Sequence, residues 1–197
     1  MGALDHIVRS GKALYAGISS YNSKRTRAAV AILNDLGTPC VIHQPSYSML
    51  NRWVERDGLK DTLQELGVGS IAFSPLAQGM LSTKYLSGVP ENSRAAQDKS
   101  LSPNMLSEQA LSNIRQLNEI AKARGQTLAQ MAIAWVLREG GITTALIGAS
   151  KPAQITDCAG AINNLNFTPE DLVNIDKYAL EEGINLWALS SETLQGA

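Results

Sequence analysis

The chain has 197 residues, of which 44% are apolar and 18% charged, a composition typical of a protein with a packed core and not of a disordered chain. Its 17 basic and 18 acidic residues give a net charge of -1, which does not favour nucleic acid or an anionic membrane as a partner. No apolar run approaches the ~20 residues that a membrane-spanning helix needs.

The N-terminal segment and the cysteines favour a cytoplasmic protein. Asp5 and His6 stand where a secretion signal needs its apolar centre. Cys40 and Cys158 are far apart and lie in apolar segments, which is typical of buried, reduced thiols. Two histidines and two cysteines at these spacings do not predict a metal site.

Four short apolar segments predict β-strands, and each of them ends in small polar residues. None alternates apolar with polar side chains, so each strand is expected to be buried on both faces, as in a parallel sheet. The segments are ALYAGISS (13–20), CVIHQPS (40–46), SIAFSP (70–75) and TALIGAS (144–150).

Helical patterns separate these strands and predict an α/β fold in which all the strands are parallel. Capping signals begin two of the helices, a capping box at Thr127 and a Thr168–Pro169 pair. A long extended loop is expected at 74–106, and loops of this length are usually functional or disordered. The predicted helices are 23–36, 58–66, 107–123, 127–138, 152–163 and one that begins at 168.

The side chains that could bind a ligand or take part in chemistry lie at the ends of the four strands. In parallel α/β proteins a ligand binds at the carboxyl ends of the strands. An aromatic ring at Phe73 and a carboxamide at Gln44 suit a flat heteroaromatic ring that bears an amide. The helix start after Ser150 suits a phosphate, because unpaired N–H groups point outward there, and Lys84 and Arg94 are candidate phosphate clamps.

Each of these residues also has an ordinary structural explanation. A lone aromatic at a strand end is usually a core residue, a lone serine usually caps a turn, and loop cations are usually solvated. His43 lies inside an apolar run and is expected to be a buried histidine with a satisfied ring; Trp53 and Trp135 are expected to pack, and the role of Trp187 is left open. The functional interpretation depends on compatible groups at four successive strand ends.

These motifs carry a family resemblance. GKALYAGISSY, HQPSYSMLNR, IAFSPLAQGMLSTKY and LIGASKPAQI resemble the second half of an aldo-keto reductase, within the subgroup that contains bacterial glyceraldehyde 3-phosphate reductases and potassium-channel beta subunits. The resemblance implies the C-terminal half, strands 5 to 8, of a (β/α)8 TIM barrel. Residues 1–197 would form a single partial barrel domain, with 74–106 as a loop that covers the cofactor.

The resemblance implies that NADP(H) binds across the four strand ends. Ser19, Ser20 and Gln44 would hold the nicotinamide carboxamide, and the nicotinamide ring would stack on Phe73. The cofactor would serve the reduction of small aldehydes or ketones.

The phosphates of the cofactor would lie along the next segment of the chain. The resemblance places Ser74, Pro75 and Leu76 beside the pyrophosphate, with Lys84 and Arg94 closing over the phosphates.

The adenosine end would be flanked by Gly148, Ser150, Gln154 and Asp157. Relatives tend to have Glu where this chain has Asp157 and Asn where it has Cys158, so the adenine contacts are expected to differ.

No segment matches the family's catalytic Asp, Tyr, Lys and His, which lie on the first half of the barrel. The chain is therefore expected to be inactive alone, either as a fragment that needs the missing N-terminal half-barrel or as a half-barrel that forms a homo-oligomer. The alternative is an NADP(H)-binding regulatory module similar to potassium-channel beta subunits.

Overall fold

The structure, a computed structural model, describes residues 1–86, 106–140 and 142–181. Short 3₁₀ turns lie at Ala77–Gly79, Thr83–Tyr85 and Gly160–Asn163. The helices and strands follow in the order α1 (Gly2–Arg9), β1 (Ala16–Ser19), α2 (Ser23–Asp35), β2 (Cys40–Gln44), α3 (Trp53–Arg56), α4 (Leu59–Leu66), β3 (Gly69–Phe73), α5 (Glu108–Ala123), α6 (Leu128–Leu137), β4 (Thr144–Leu146), α7 (Pro152–Ala159) and α8 (Pro169–Tyr178).

The four strands form one parallel sheet in the order β1-β2-β3-β4. Consecutive strands are neighbours, because each crossover passes through helices on the same side of the sheet. This arrangement confirms the predicted α/β class, and it is consistent with a partial (β/α)8 barrel. β1 and β4 are the two edge strands of the sheet within the described residues.

Two of the strands end where the backbone turns left-handed. β1 ends at Ser19 and is followed by Ser20 with a φ of 57°, and β3 ends at Phe73 and is followed by Ser74 with a φ of 55°. Non-glycine residues rarely adopt this conformation, which cannot continue a strand. The predicted strands 13–20 and 70–75 therefore extend too far.

The predicted loop 74–106 is folded where it begins. Its first residues form the two 3₁₀ turns, and Leu81 and Tyr85 are fully buried. These apolar side chains pack into the core and prevent an extended path. The expectation of an extended segment is therefore wrong for residues 77–85, and residues 87–105 lie outside the described part of the chain.

The predicted helix starts are confirmed. The Thr127 hydroxyl accepts a hydrogen bond from the N–H of Gln130, whose side chain accepts one from the N–H of Thr127, each at 3.1 Å. Thr168 caps α8 in the same way with Asp171. The predicted helix 152–163 ends earlier, at Ala159, and continues as a 3₁₀ turn from Gly160. A Cβ on Gly160 would lie 2.6 Å from Gln130 Nε2, so the turn packs closely on α6.

The core lies between the sheet and the helices. On the helix-facing side of the sheet, Ile18, His43 and Ala72 are buried. The register of the strands places a second set of residues on the opposite side. We call this side the open face, and its residues are Gly17, Ser19, Ile42, Gln44, Gly69, Ile71, Phe73, Thr144 and Leu146.

The open face is not covered by any helix in the described ranges. Leu146 is 50% exposed, Gly17 and Ser19 are exposed, and Phe73 is half-buried. The expectation that all strands are buried on both faces is therefore wrong for this side. A strand pattern without polar alternation indicates that both faces are apolar, and it cannot indicate which residues cover them.

Candidate cofactor site

Three of the predicted site residues lie at one rim of the open face. Ser19 and Gln44 are opposite each other in the β1–β2 register. Phe73 is opposite Leu146 of β4, and it also forms a bridge with Ser46, two residues after Gln44. The sheet thus brings the hydroxyl, the carboxamide and the aromatic ring to the carboxyl ends of adjacent strands.

Backbone contacts position the polar part of this rim. The Ser19 hydroxyl donates a 2.8 Å hydrogen bond to the backbone carbonyl of Gln44, and the Ser20 N–H donates to the same oxygen at 3.2 Å. The side-chain amide of Gln44 makes no hydrogen bond within the described part of the chain and is half-exposed. It is therefore available to pair with an amide of a ligand.

The left-handed residues Ser20 and Ser74 add backbone strain at the same rim. Left-handed conformations cost L-residues roughly 1–2 kcal/mol and are concentrated at functional sites. Beyond Ser74, Pro75 is buried and Leu76 half-buried, so the chain is held against the core as it leaves β3. The sequence pattern contained no sign of the strain, because any residue may occupy a strand end.

The predicted phosphate end has a different local structure. The N–H groups of Ser150 and Lys151 donate to the side-chain carbonyl of Gln154 at 2.8 and 3.1 Å, and the Ser150 hydroxyl lies 3.3 Å from the same oxygen. Gln154 thus caps the N-terminus of its own helix. The N–H groups expected to be unpaired are paired in this structure, and Gly148 nearby is exposed.

The Asp157 side chain contacts the start of α6. Its carboxylate accepts hydrogen bonds from the Thr127 hydroxyl at 3.1 Å and from Gln130 Nε2 at 3.0 Å. Gln154 and Asp157 are three residues apart on α7 and therefore lie on the same side of that helix, but the Asp157 carboxylate is engaged by α6.

The two predicted phosphate clamps are only partly described. Lys84 is exposed in the second 3₁₀ turn, and its ammonium lies 5.4 Å from the centre of the Tyr85 ring. Arg94 lies outside the described residues.

His43 and Tyr47 belong to the helix-facing side. His43 is fully buried, with Nε2 3.0 Å from the carbonyl of Tyr21, and burial lowers its pKa to about 4. Nδ1 has no hydrogen-bond partner within the described residues, so the expectation of a fully satisfied ring is wrong for this atom. Tyr47 is also fully buried, and its hydroxyl donates to Glu55 and lies 3.0 Å from Arg138.

A half-buried charge network surrounds Glu55 and was not predicted from the sequence. The Glu55 carboxylate forms salt bridges with the guanidinium groups of Arg138 at 2.9 Å and Arg52 at 2.7 Å. The Arg138 guanidinium also stacks 3.7 Å from the centre of the Trp135 ring. Burial alone would raise the pKa of Glu55, but hydrogen bonds from Tyr47, Arg138 and Arg52 outweigh it and lower the pKa. Arg52 and Glu55 are three residues apart, a spacing at which a helix can pair them, whereas Arg138 is 83 residues from Glu55 and gives no local signal.

The described residues offer neither a metal-binding cluster nor a membrane-spanning helix. They contain no group of three or more His, Cys, Asp or Glu side chains placed to hold a metal ion. No helix among them combines the length and the apolar character needed to cross a bilayer.

A parallel four-stranded sheet with helices, in which consecutive strands are neighbours, defines a chain of the α/β class that is consistent with a partial (β/α)8 barrel. A profile of the Aldo/keto reductase family matches residues 1–180, and the chain belongs to that family. It is 50% identical over 194 residues to the L-glyceraldehyde 3-phosphate reductases of Escherichia coli O157:H7 and of strain K12. These matches cover 96% of this chain and 56% of each relative.

A solved structure shows the same fold. The thermostable aldo-keto reductase Tm1743, in complex with the inhibitor epalrestat, superposes with a TM-score of 0.64 at 25% sequence identity. The superposition covers 90% of this chain and 53% of that one. This chain therefore spans about half the length of the relatives that it matches.

Proposed function

We propose that this chain is the NADP(H)-binding portion of a cytoplasmic aldo-keto reductase that reduces small aldehydes or ketones to alcohols. Aldo-keto reductases generally use NAD(P)H, and the 50% identity to L-glyceraldehyde 3-phosphate reductases supports a reductase of small carbonyl compounds. The observation that carries the proposal is the register that aligns Ser19, Gln44 and Phe73 at one rim. When bound, NADPH supplies the hydride.

The nicotinamide end of the cofactor fits this rim. Ser19 and Gln44 offer a hydroxyl and a carboxamide to the nicotinamide amide, and Phe73 offers an aromatic face to the ring. The Ser19 hydroxyl is held by its bond to the Gln44 backbone, so this group is ordered before the ligand arrives. Preorganisation of this kind lowers the entropic cost of binding.

The phosphate end fits only after one side chain moves. The side-chain oxygen of Gln154 accepts hydrogen bonds from the N–H groups of Ser150 and Lys151. An adenosine phosphate at this helix start would therefore displace the Gln154 side-chain oxygen. Lys84, and Arg94 outside the described residues, would add positive charge. Asp157 would contribute only by leaving Thr127 and Gln130.

We also propose that the chain alone lacks the acid–base chemistry of reduction. The hydroxyl of Tyr47 is bonded to Glu55 and close to Arg138, and His43 faces Tyr21 on the helix side. Neither can therefore donate a proton to a carbonyl compound at the rim. The proton donor would come from the other half of a closed barrel.

Binding of NADPH to the chain tests the proposal. NADPH is expected to quench the tryptophan fluorescence and to bind in isothermal titration calorimetry. Phe73→Ala should weaken binding by about tenfold, the typical cost of losing one base–aromatic stack. Gln44→Ala should weaken it less, because a water molecule can replace one amide.

Gln64→Ala is the matched control, since Gln64 is exposed on α4 and its loss should not affect binding. No measurable NADPH binding, or binding equally strong in Phe73→Ala, would contradict the cofactor site. Turnover of methylglyoxal by the chain alone, as fast as by a full-length relative, would contradict the missing acid–base chemistry.

A further inference from the structure

The segment that follows β2 continues along the rim and holds the end of β3. The N–H of Phe73 donates to the carbonyl of Pro45 at 3.0 Å, and the N–H of Tyr47 donates to the carbonyl of Phe73 at 3.2 Å. Ser46 lies opposite Phe73 in this short parallel bridge. These two hydrogen bonds fix the backbone from which the Phe73 ring projects, and a parallel pair of strands is held by such bonds alone.

A tight turn closes this segment, 45–51, on itself. Ser48 and Asn51 exchange two backbone hydrogen bonds, at 3.2 and 3.1 Å, so the chain reverses direction between them. The turn brings the Asn51 side chain back to Ser46, and its Nδ2 donates to the Ser46 hydroxyl at 3.1 Å. Every residue of the segment is buried, so this hydrogen bond forms away from water.

The Trp53 indole reaches the same point from the start of α3. Its Nε1 lies 2.8 Å from the backbone carbonyl oxygen of Ser46 and 3.1 Å from the Ser46 hydroxyl oxygen, and it donates to both. The ring belongs to the main apolar core, and a buried indole N–H generally has a hydrogen-bond partner. Trp53 thus packs with its ring and holds Ser46 with its N–H.

We call Ser46, Asn51 and Trp53 the Ser46 network. Their exposures are 2, 4 and 7%, whereas Phe73 is half-buried at the rim. The network is therefore enclosed in the protein and acts on the rim through the backbone of Phe73. Because water cannot replace a hydrogen bond that is lost inside the core, a break in the network should loosen the pairing of Phe73.

We propose that Trp53, through the Ser46 network, is a positioning residue for the aromatic ring of Phe73 and thereby sets the affinity for the nicotinamide ring. Stacked aromatic rings attract each other only within a narrow range of distances and offsets, so a displaced Phe73 binds the ring less well. The inference rests on the cofactor site proposed above. It is tested by one measurement without NADPH and one with it, so the two proposals can fail separately.

Amide hydrogen exchange, followed by NMR, measures the pairing of Phe73 without a ligand. Trp53→Phe keeps an aromatic ring in the core and removes the N–H. The amides of Phe73 and Tyr47 should then exchange about five- to tenfold faster, the effect of losing roughly one hydrogen bond. The amide of Val68, which donates to Leu63 at 2.9 Å before the other end of β3, should keep its rate.

Ser46→Ala is the second variant, since it removes only the hydroxyl that accepts from Asn51 and Trp53. It should give the same exchange pattern with a smaller acceleration. Unchanged exchange at Phe73 in both variants would overturn the inference. Equal acceleration at Phe73 and Val68 would also overturn it, because it would show a general loss of stability.

A double-mutant cycle with Phe73→Ala measures the effect on the cofactor. In calorimetry, Trp53→Phe should weaken NADPH binding by about threefold, a part of the loss expected when the Phe73 ring is removed. In the Phe73→Ala background the same change should have no further effect. A further loss in that background would overturn the inference. Absence of NADPH binding to the parent chain would contradict the cofactor site, and amide exchange then decides whether the network positions Phe73.

Thr38→Val is the matched control. It removes one buried hydroxyl hydrogen bond, from Thr38 to Asp5 at 2.8 Å, just before the opposite end of β2. The variant should lose stability, keep the ratio of the Phe73 and Val68 exchange rates, and bind NADPH as the parent chain does. A threefold loss of NADPH binding in Thr38→Val would assign the effect of Trp53→Phe to stability and overturn the inference.

Discussion

The two faces of the sheet differ although the same strands form both. On the helix-facing side, His43 and Ala72 are completely buried, whereas on the open face Leu146 is half exposed and Ser19 is exposed. The helix-facing side carries the packing that stabilises the chain. The open face and its rim carry the predicted site residues Ser19, Gln44 and Phe73, which are positioned by that packing.

The largest expected difference is in the free energy of unfolding that alanine substitutions remove on the two sides of the sheet. Trp135 is 1% exposed and lies between Tyr47 and the Arg138 guanidinium. Trp135→Ala should lower the free energy of unfolding by about 3–5 kcal/mol through the cavity that it leaves. Leu146→Ala should lower it by less than about 1 kcal/mol. Urea unfolding followed by circular dichroism measures both, and equal losses would show that the open face is buried in solution.

Acid should weaken the helix-facing side through His43. Its pKa is lowered to about 4 in the folded chain, against about 6.5 when unfolded. The unfolded state therefore binds more protons between these values, and stability is lost as the pH falls from 6.5 to 4. The loss should reach about 3 kcal/mol, since each pKa unit is worth about 1.4 kcal/mol.

Urea unfolding at pH 6.5, 5.5 and 4.5 measures this dependence. His43→Asn should flatten the curve, and His6→Asn, at an exposed position of α1, should leave it as steep as in the parent chain. An equally steep curve in His43→Asn would assign the pH dependence to other groups.

The smallest effect is expected at the rim, where stability and binding should change in opposite directions. Ser20→Gly relieves the left-handed strain at φ 57° but loosens the unfolded chain, for a net gain of about 0.5 kcal/mol. The melting temperature should rise by roughly 1–2 °C, while NADPH binding should weaken. Ser10→Gly, at φ -80°, is the control and should not raise the melting temperature. A fall in the melting temperature of Ser20→Gly would show that the rim is unstrained.

The sequence patterns predicted the elements better than their ends. The four strands, their parallel order and the helix starts at Thr127 and Thr168 are all confirmed. The strand ends were wrong by one to four residues. At β1 and β3 the chain leaves the strand through the left-handed residues Ser20 and Ser74, which the apolar runs did not indicate. Apolar runs and capping residues act locally, and local signals survive in a sequence pattern.

The candidate site was predicted unevenly for the same reason. Ser19, Gln44 and Phe73 could be grouped from the sequence, since the carboxyl ends of parallel strands meet at one edge. The orientations of Gln154 and Asp157 could not, because each side chain chooses among several polar partners once the helices have packed. In the network of Glu55, Arg52 and Arg138, the pair Arg52–Glu55 is local, and only the fold brings Arg138 to it.

The sequence by itself determined the class of the fold, the family and the strand ends at which a cofactor is expected. Hydrophobic periodicity, caps and short motifs carry that information, and they operate over a few residues each. Only the tertiary structure decided that one face of the sheet is open within the described residues. Coverage of a face depends on distances between elements, which no single segment of the chain encodes.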